Sequence, residues 1–392
     1  MTETPAGFLF SATTAGIKPS GKPDLALALA PEGAAAAAMF TRNQVVAAPL
    51  TIGRENLRRA QGKIRALIVN AGNANCATGA PGLRAARTIC RELATELETS
   101  DVQVFPSSTG IIGVPLPFEK ITAAIPRLLA QANTDSLMAF ATAIMTTDTK
   151  SKVAAAQIRY KGRSVRLVGV AKGAGMIHPN MATMLVYLFT DVKASPKDLQ
   201  SCLKRAVNQS FNNISIDGDT STNDTVLLLA SGKSQVTIKS VRKQFESGLD
   251  NVCRSLAAQI IADGEGVEHV VRLKIEQARN TDEARRIART IANSPLVKTS
   301  WAGADPNWGR LLAAIGYSGV KIHPEKINIY LGTQQICRDG MAWPFDQTQA
   351  HQYMTQKEYE IRFTLGSGKA VLEFLSCDLT AEYVRVNADY ST

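Results

Sequence analysis

The chain has 392 residues, 45% of them apolar and 20% charged, enough apolar material to bury a sizeable core and too much for wholesale disorder. No run of 18 or more apolar residues occurs, so no membrane-spanning helix is expected. The net charge is +10, but the basic residues are scattered, and no basic run with interleaved aromatics points to nucleic acid; solubility and attraction for a small anionic substrate explain the excess better.

The stretch Met1–Gly7 contains Glu3 and lacks the charged-then-apolar layout of a signal peptide. Cys76, Cys90, Cys202, Cys253, Cys337 and Cys377 form no CxxC pair, and four histidines suggest no zinc site. The cysteines read as buried small hydrophobes in a reducing, cytoplasmic setting. No repeat of fixed period is present. The length suits one large α/β unit or two intimate halves.

In chain order, Ala15–Lys18 reads as a loop and Pro23–Leu27 as the entry to a strand. The alanine run Ala34–Ala38 predicts a small helical turn or tight packing. Ile64–Val69 predicts a buried strand that delivers Asn70, Asn73 and Asn75 into a loop, as pocket lining or as turn formers. Behind Pro81, Leu83, Ala86, Cys90, Leu93 and Leu97 fall on one helical face. Val102–Phe105 predicts a strand leading to Ser107-Ser108-Thr109-Gly110. That tetrapeptide is either a plain turn or a place where a hydroxyl and an unobstructed N–H meet a developing oxyanion. Ile121, Ile125, Leu128, Leu129 and Ala132 line a helix, and Asp135 is the expected cap of a second one ending near Ile144. Thr146, Thr147 and Thr149 follow; hydroxyls at a helix end bind a carboxylate or cap backbone groups.

Ser164–Ala171 predicts a strand that runs into Lys172-Gly173-Ala174-Gly175-Met176-Ile177-His178-Pro179-Asn180-Met181-Ala182-Thr183-Met184-Leu185. The apolar run from Thr183 to Asp191 leaves it. Thr183 therefore stands where a loop becomes a buried strand. An N-terminal nucleophile needs that setting: the hydroxyl attacks the Ala182 carbonyl, the chain breaks, and the new α-amine, with a pKa of about 7.7–8.0, becomes the base for its own hydroxyl. The plain alternative is a strand threonine after a Gly-Pro loop. Lys172 beside such an amine would depress its pKa, or would anchor a substrate carboxylate; an ordinary lysine is solvated.

A helix is predicted from Pro196, with Leu199, Leu203, Ala206, Val207 and Phe211 on one side. The polar stretch Asn212–Thr225 holds Asp217-Gly218-Asp219 but fails the calcium-loop spacing; it reads as an active-site wall of mutually bonded side chains. Val226–Ala230 predicts a buried strand and Leu249–Ala262 a helix. Glu265, between Gly264 and Gly266, is a turn residue or the partner of a substrate amino group. His269–Glu276 alternates as a half-buried strand, and Asn280 with Glu283 makes a capped helix start. Trp301 and Trp308 could form a subunit contact or brace a pocket. Tyr359–Leu365 and Ala370–Ser376, around Gly366-Ser367-Gly368, predict a hairpin.

The run Lys172–Leu185 closely resembles the self-cleavage motif of the ornithine acetyltransferase family, also called bifunctional glutamate N-acetyltransferases, and the likeness extends from about Ala15 to Thr392. It implies an α/β fold: an αββα-type sandwich similar to the N-terminal-nucleophile hydrolases. It implies cleavage between Ala182 and Thr183 into chains 1–182 and 183–392, intertwined in one unit, and assembly as two of each. The implied reaction moves the acetyl group of N-acetylornithine to glutamate through acetyl-Thr183, without cofactor or metal; acetyl-CoA as a second donor is left open. Thr109 and Gly110 match the family's oxyanion hole. Thr146 (with Thr147 adjacent), Lys172, Glu265, Asn387 and Thr392 match its substrate contacts, the last two on a final strand. Val267-Glu268-His269 departs from the Ala-Thr-basic pattern expected after Glu265, which puts the contacts there in doubt. The rival readings are a threonine amidase or aminopeptidase with water as acceptor, and a basic, non-catalytic binding protein.

Overall fold

The computed structural model of the chain describes residues 3–178 and 184–389. One sheet is built from β1 (Leu9–Thr13), β2 (Leu25–Phe40), β3 (Lys63–Asn73), β4 (Val104–Ile111), β5 (Lys152–Tyr160), β6 (Arg163–Lys172), β7 (Leu185–Thr190) and β8 (Thr225–Ala230). Its order is β4-β3-β2-β8-β7-β6-β5, with β1 beside the first half of β2. The shape of this sheet follows from β2. Its register with β3 shifts between Leu29 and Ala34, across Pro31-Glu32-Gly33, where Gly33 has φ +83°. The first half of β2 pairs with β1 and the second with β8, so the sheet doubles back into two layers.

Side-chain alternation then sorts the core. Leu25, Leu27, Ala66 and Ile68 face outward against α1 (Ala48–Arg59), α2 (Gly79–Glu96) and α3 (Phe118–Ala130). Val186, Leu188, Val226 and Leu228 face α5 (Pro196–Gln209) and α6 (Arg242–Ala262). Between the layers lie Phe10, Phe105, Tyr187 and Phe189, with α4 (Leu137–Ala143) wedged in through Phe140. The Phe10 and Phe189 rings meet edge to face at 4.9 Å. The outcome is the αββα sandwich of an α/β fold.

Several local expectations change. Ala34–Ala38 is strand, not helical turn; its methyl groups let two sheet layers approach closely. Ser107–Gly110 is not a turn but the body of β4, in parallel register with β3. Asp135 does not cap α4, whose N-cap is Ser136; the Asp135 N–H is instead held by Asn133 Oδ1 at 2.9 Å. The helix after Pro196 forms as expected, with Ser195 accepting from the Asp198 N–H.

A second sheet follows, in the order β12-β11-β10-β13-β9-β14. Its strands are β9 (Val270–Ala278), β10 (Asn328–Leu331), β11 (Gln334–Arg338), β12 (Met341–Ala342), β13 (Glu358–Thr364) and β14 (Ala370–Cys377). Helices α7 (Thr281–Ala292), α8 (Pro295–Ala302), α9 (Trp308–Gly316) and α10 (Gln347–Met354) are interleaved with them, and Asn280 caps α7 by accepting from the Glu283 N–H. Val271, Leu273 and Ile275 bury against these helices. The hairpin expected around Gly366–Gly368 does not form. β13 pairs in parallel with one edge of β9 and β14 antiparallel with the other. The Ser367 and Gly368 N–H groups both donate to Gln277 O, so the loop crosses the end of β9 instead of folding back. Trp301 is 1% exposed in this core and Trp308 packs beside it, so the tryptophans brace the second unit.

The two units join through β14. Ser215 N–H donates to Leu375 O at 3.0 Å, and Ser376 Oγ donates to Ser215 O at 2.9 Å. The chain then forms α11 (Ala381–Asp389), a helix where a last strand was expected. Thr380 Oγ accepts from the Tyr383 N–H at the start of this helix.

Candidate active site

A cleft of about 220 Å3 opens where strand ends of the sandwich meet α11. Thr109 and Gly110 reach it from β4, Thr146 and Thr147 from the turn after α4, and Lys172 from the end of β6. Glu265 comes from the turn after α6 and Asn387 from α11. The fold thus gathers into one space residues that lie up to 278 positions apart in the chain. Ala182, Thr183 and Thr392 lie outside the described residues.

Lys172 is the centre of one wall. Its Nζ donates to Thr146 Oγ1 at 2.8 Å and to Thr109 Oγ1 at 3.3 Å. With its oxygen accepting from Lys172, the Thr109 hydroxyl keeps its proton for a group in the cleft. Gly110 has φ +130°, and a Cβ there would lie 2.3 Å from the Gly72 carbonyl carbon. Only glycine lets β4 approach β3 this closely. The Asp148 carboxylate accepts from the Gly173 N–H at 2.6 Å and from Lys152 Nζ at 2.7 Å, and lies 3.9 Å from Lys172 Nζ. Lys152 also meets Asp263 at 2.6 Å. Burial would raise the Asp148 carboxyl, but Lys172 and Lys152 outweigh it and hold it at about 2. Burial lowers the Lys172 ammonium, with Lys152 adding to that and Asp148 opposing it.

The opposite wall is acidic. Asp217 accepts from the Met176 N–H at 2.6 Å, the Ile177 N–H at 2.9 Å and the Tyr383 hydroxyl at 3.3 Å. Burial raises Asp217; burial together with Asp217 and Glu265 raises the Tyr383 phenol, which stays a donor. Glu265 receives a hydrogen bond from Asn387 Nδ2 at 2.9 Å and lies against Gly175, where a Cβ would sit 2.4 Å from its Oε2. Asn223 ties this wall to the first by donating to Ala74 O at 2.7 Å and Ser108 O at 2.9 Å. A cation with two hydroxyls on one side and carboxylates on the other matches the two charged ends of an amino acid.

The polar stretch 212–225 does wall the cleft; a side-chain bond within it runs from Thr222 Oγ1 to Asn223 Oδ1 at 2.6 Å, and its carboxylate at 217 also holds backbone N–H groups. Asn70, Asn73 and Asn75 do not line the cleft. They brace loops by donating to Asn73 O, Val114 O and Gly82 O. Asp217 belongs to the stretch expected to wall the cleft. No role was expected for Asp148, which stands inside the run noted for its threonines, and nothing local marks Lys152 or Tyr383. Glu268, His269 and Asp378 bring three candidate ligand atoms within 4.8 Å of one another, but none of them lines the cleft. All six cysteines are free and buried, and among the described residues no helix is long and apolar enough to cross a membrane.

Comparison with known proteins gives this cleft its context. The ArgJ family matches residues 9–392. The chain is 45% identical to the arginine biosynthesis bifunctional protein ArgJ of Methylococcus capsulatus, over 99% of this chain and 96% of that one. It is also 45% identical to the protein of the same name from Thermus thermophilus, over 99% of both. The crystal structure of the ArgJ protein of Bacillus halodurans superposes with a TM-score of 0.51 at 37% identity, covering 53% of this chain and all of that one. The chain belongs to the ArgJ family, the acyltransferases of arginine biosynthesis.

Proposed function

We propose that this chain cuts itself between Ala182 and Thr183 and then moves the acetyl group of N-acetylornithine to glutamate through an ester on the Thr183 hydroxyl. The observation that carries this reading is the gathering of Thr109, Gly110, Thr146, Lys172, Glu265 and Asn387 around one cleft. In the proposed cycle the neutral α-amine of Thr183 takes the hydroxyl proton, and the oxygen attacks the acetyl carbonyl. The Thr109 hydroxyl and the Gly110 N–H face the oxyanion. The amide bond breaks, ornithine leaves with the proton from the Thr183 amine, and the glutamate amine attacks the ester. Glu265, held by Asn387, pairs with the side-chain ammonium of ornithine, the one amine that the acetylated donor leaves free; Lys172 with Thr146 pairs with the α-carboxylate. One amide is broken and one is made, so the exchange is near thermoneutral and needs no cofactor or metal. Acetyl-CoA, a thioester, would load the same hydroxyl.

Two features support the processing step. β7 and β8, which follow residue 183, lie between β2 and β6, which precede it, so a cut chain would stay one interleaved body. The Bacillus halodurans chain, matched over its whole length, spans 53% of this one, about the share that residues 183–392 make up. The proposed assembly is two of each chain, in the cytoplasm, with Thr392 completing the substrate contacts. Mass spectrometry of purified protein tests the cut: wild type gives chains 1–182 and 183–392, and Thr183→Ala gives one full-length chain without exchange activity. Normal cleavage of that variant overturns the assignment. Release of acetate at a rate indifferent to glutamate would assign an amidase instead.

A further inference from the structure

A second cavity, about 530 Å3 and open to solvent, lies apart from the cleft. Among the described residues that line it, four are arginines and one, Asp282, is acidic. Arg42 comes from the loop after β2, and Arg285, Arg286 and Arg289 come from the first three turns of α7. Arg285 and Arg289 are four residues apart and therefore neighbours on one helical face, an unfavourable spacing for like charges. Asp282 is held by Arg285 at 2.9 Å. Arg285 Nε also donates to Asn213 Oδ1 at 3.0 Å, which fixes its guanidinium plane. Burial, then Arg285 and Arg42, lower the Arg289 guanidinium to about 10. Cations crowded into a half-desolvated space repel one another, and an anion seated among them relieves that repulsion.

The chemistry of the lining narrows the ligand. Guanidinium forks match phosphate oxygens in pairs, and arginine is favoured over lysine wherever that match matters. Among the described residues no aromatic side chain lines the cavity, so base stacking is not what they offer. Its volume falls in the range of about 300–1,000 Å3 typical of small-molecule sites. Its position is also informative. Thr41 Oγ1 donates to Ser221 O at 2.8 Å and Asn43 Nδ2 donates to Thr220 O at 2.9 Å, so the strip that carries Arg42 is bonded along the strip that walls the cleft.

We propose that the arginine cavity binds a phosphate-bearing anion, either free phosphate or the phosphate end of a nucleotide-containing ligand. A nucleotide-containing acyl donor rests on the acyl-transfer reading above; the phosphate site itself does not. Calorimetry on the full chain at low salt, with inorganic phosphate, adenosine 3′,5′-bisphosphate and glutamate as separate titrants, tests it without any turnover. The expected result is binding of at least one phosphate compound that weakens at least tenfold in Arg42→Glu, whose exposed side chain makes it a fold-neutral change, and in Arg285→Glu. Adenosine bisphosphate binding at least tenfold tighter than phosphate assigns the nucleotide source, and equal or weaker binding assigns free phosphate. No binding of either, or binding that survives both substitutions, overturns the site. Because acetyl exchange is measured separately, failure of the cavity leaves the transferase reading standing, and failure of exchange leaves the cavity test intact.

Discussion

The two sheets place opposite charges side by side in opposite settings. In the sandwich, every residue of β7 and β8 is buried, because helices cover one face and a second sheet layer covers the other. One cluster of charged groups at the start of β5 is buried and paired: Lys152 with Asp148 and Asp263, their side chains 7% exposed or less. In the second sheet, β9 alternates between buried and half-exposed residues, and its open face carries Arg272 with Glu358 and Glu373, and Arg362 with Glu276. The difference shows where this molecule fixes its electrostatics. A pair without water around it sets the charge state of its neighbours, whereas a pair in water is screened and contributes little. The cleft takes its charge from the first kind.

The sharpest way to break that comparison is to remove one cation from each setting. Lys152→Met leaves two carboxylates buried without it and is expected to cost about 3–5 kcal/mol in denaturant unfolding. Arg272→Ala, on the open face, is expected to cost about 0–1 kcal/mol. Similar losses from the two variants would show that burial does not separate the sheets. A second substitution probes the chemistry and leaves the scaffold alone. Thr109→Ala removes one hydroxyl from the cleft and frees Lys172 of one acceptor. The expected outcome is a drop of about 10²–10³ in acetyl exchange, the usual effect of losing one oxyanion donor, with the unfolding midpoint little changed. A loss below tenfold would move Thr109 from the oxyanion to the scaffold.

How legible this was from the chain depends on the range of the signal. The alternation of Val271, Leu273 and Ile275 and the Asn280–Glu283 cap are local, and both are in place. The sandwich could be anticipated only by resemblance, because nothing between Leu25 and Phe40 announces that one strand serves two layers except Pro31 and Gly33. The hairpin around Gly366–Gly368 fails for the same reason: loop chemistry reports a reversal, not which strand stands between the two arms. Thr109, Lys172 and Glu265 were legible as members of motifs, yet their convergence is tertiary. Lys152 gives no local sign, since a lysine opening a strand is ordinarily solvated. A final strand at Asn387 was implied by the resemblance alone, and the chain forms α11 there instead, with Thr380 at its start.

His178 supplies the finest test, because it sits on the seam between the two units. Its Nδ1 lies 3.2 Å from Ser215 Oγ, on the wall strip of the sandwich, and 3.2 Å from Asn293 Nδ2, at the C-terminal end of α7. Burial, then Arg289, lower the imidazole from its ordinary 6.5 to about 4. In the unfolded chain the ring takes a proton near pH 6.5, and in the folded chain it resists until about pH 4. Between those values the unfolded state binds more protons, so stability contributed by the neutral ring is present above pH 6.5 and is lost as pH falls towards 4. A shift of that size corresponds to about 3 kcal/mol. The expected observation is that His178→Asn flattens the unfolding free energy against pH in this window relative to wild type, while the two curves run parallel above pH 7. Parallel curves throughout would mean that the seam does not exclude the proton. The contrast between a buried, charge-setting sandwich and an open-faced second sheet would then stop at their border.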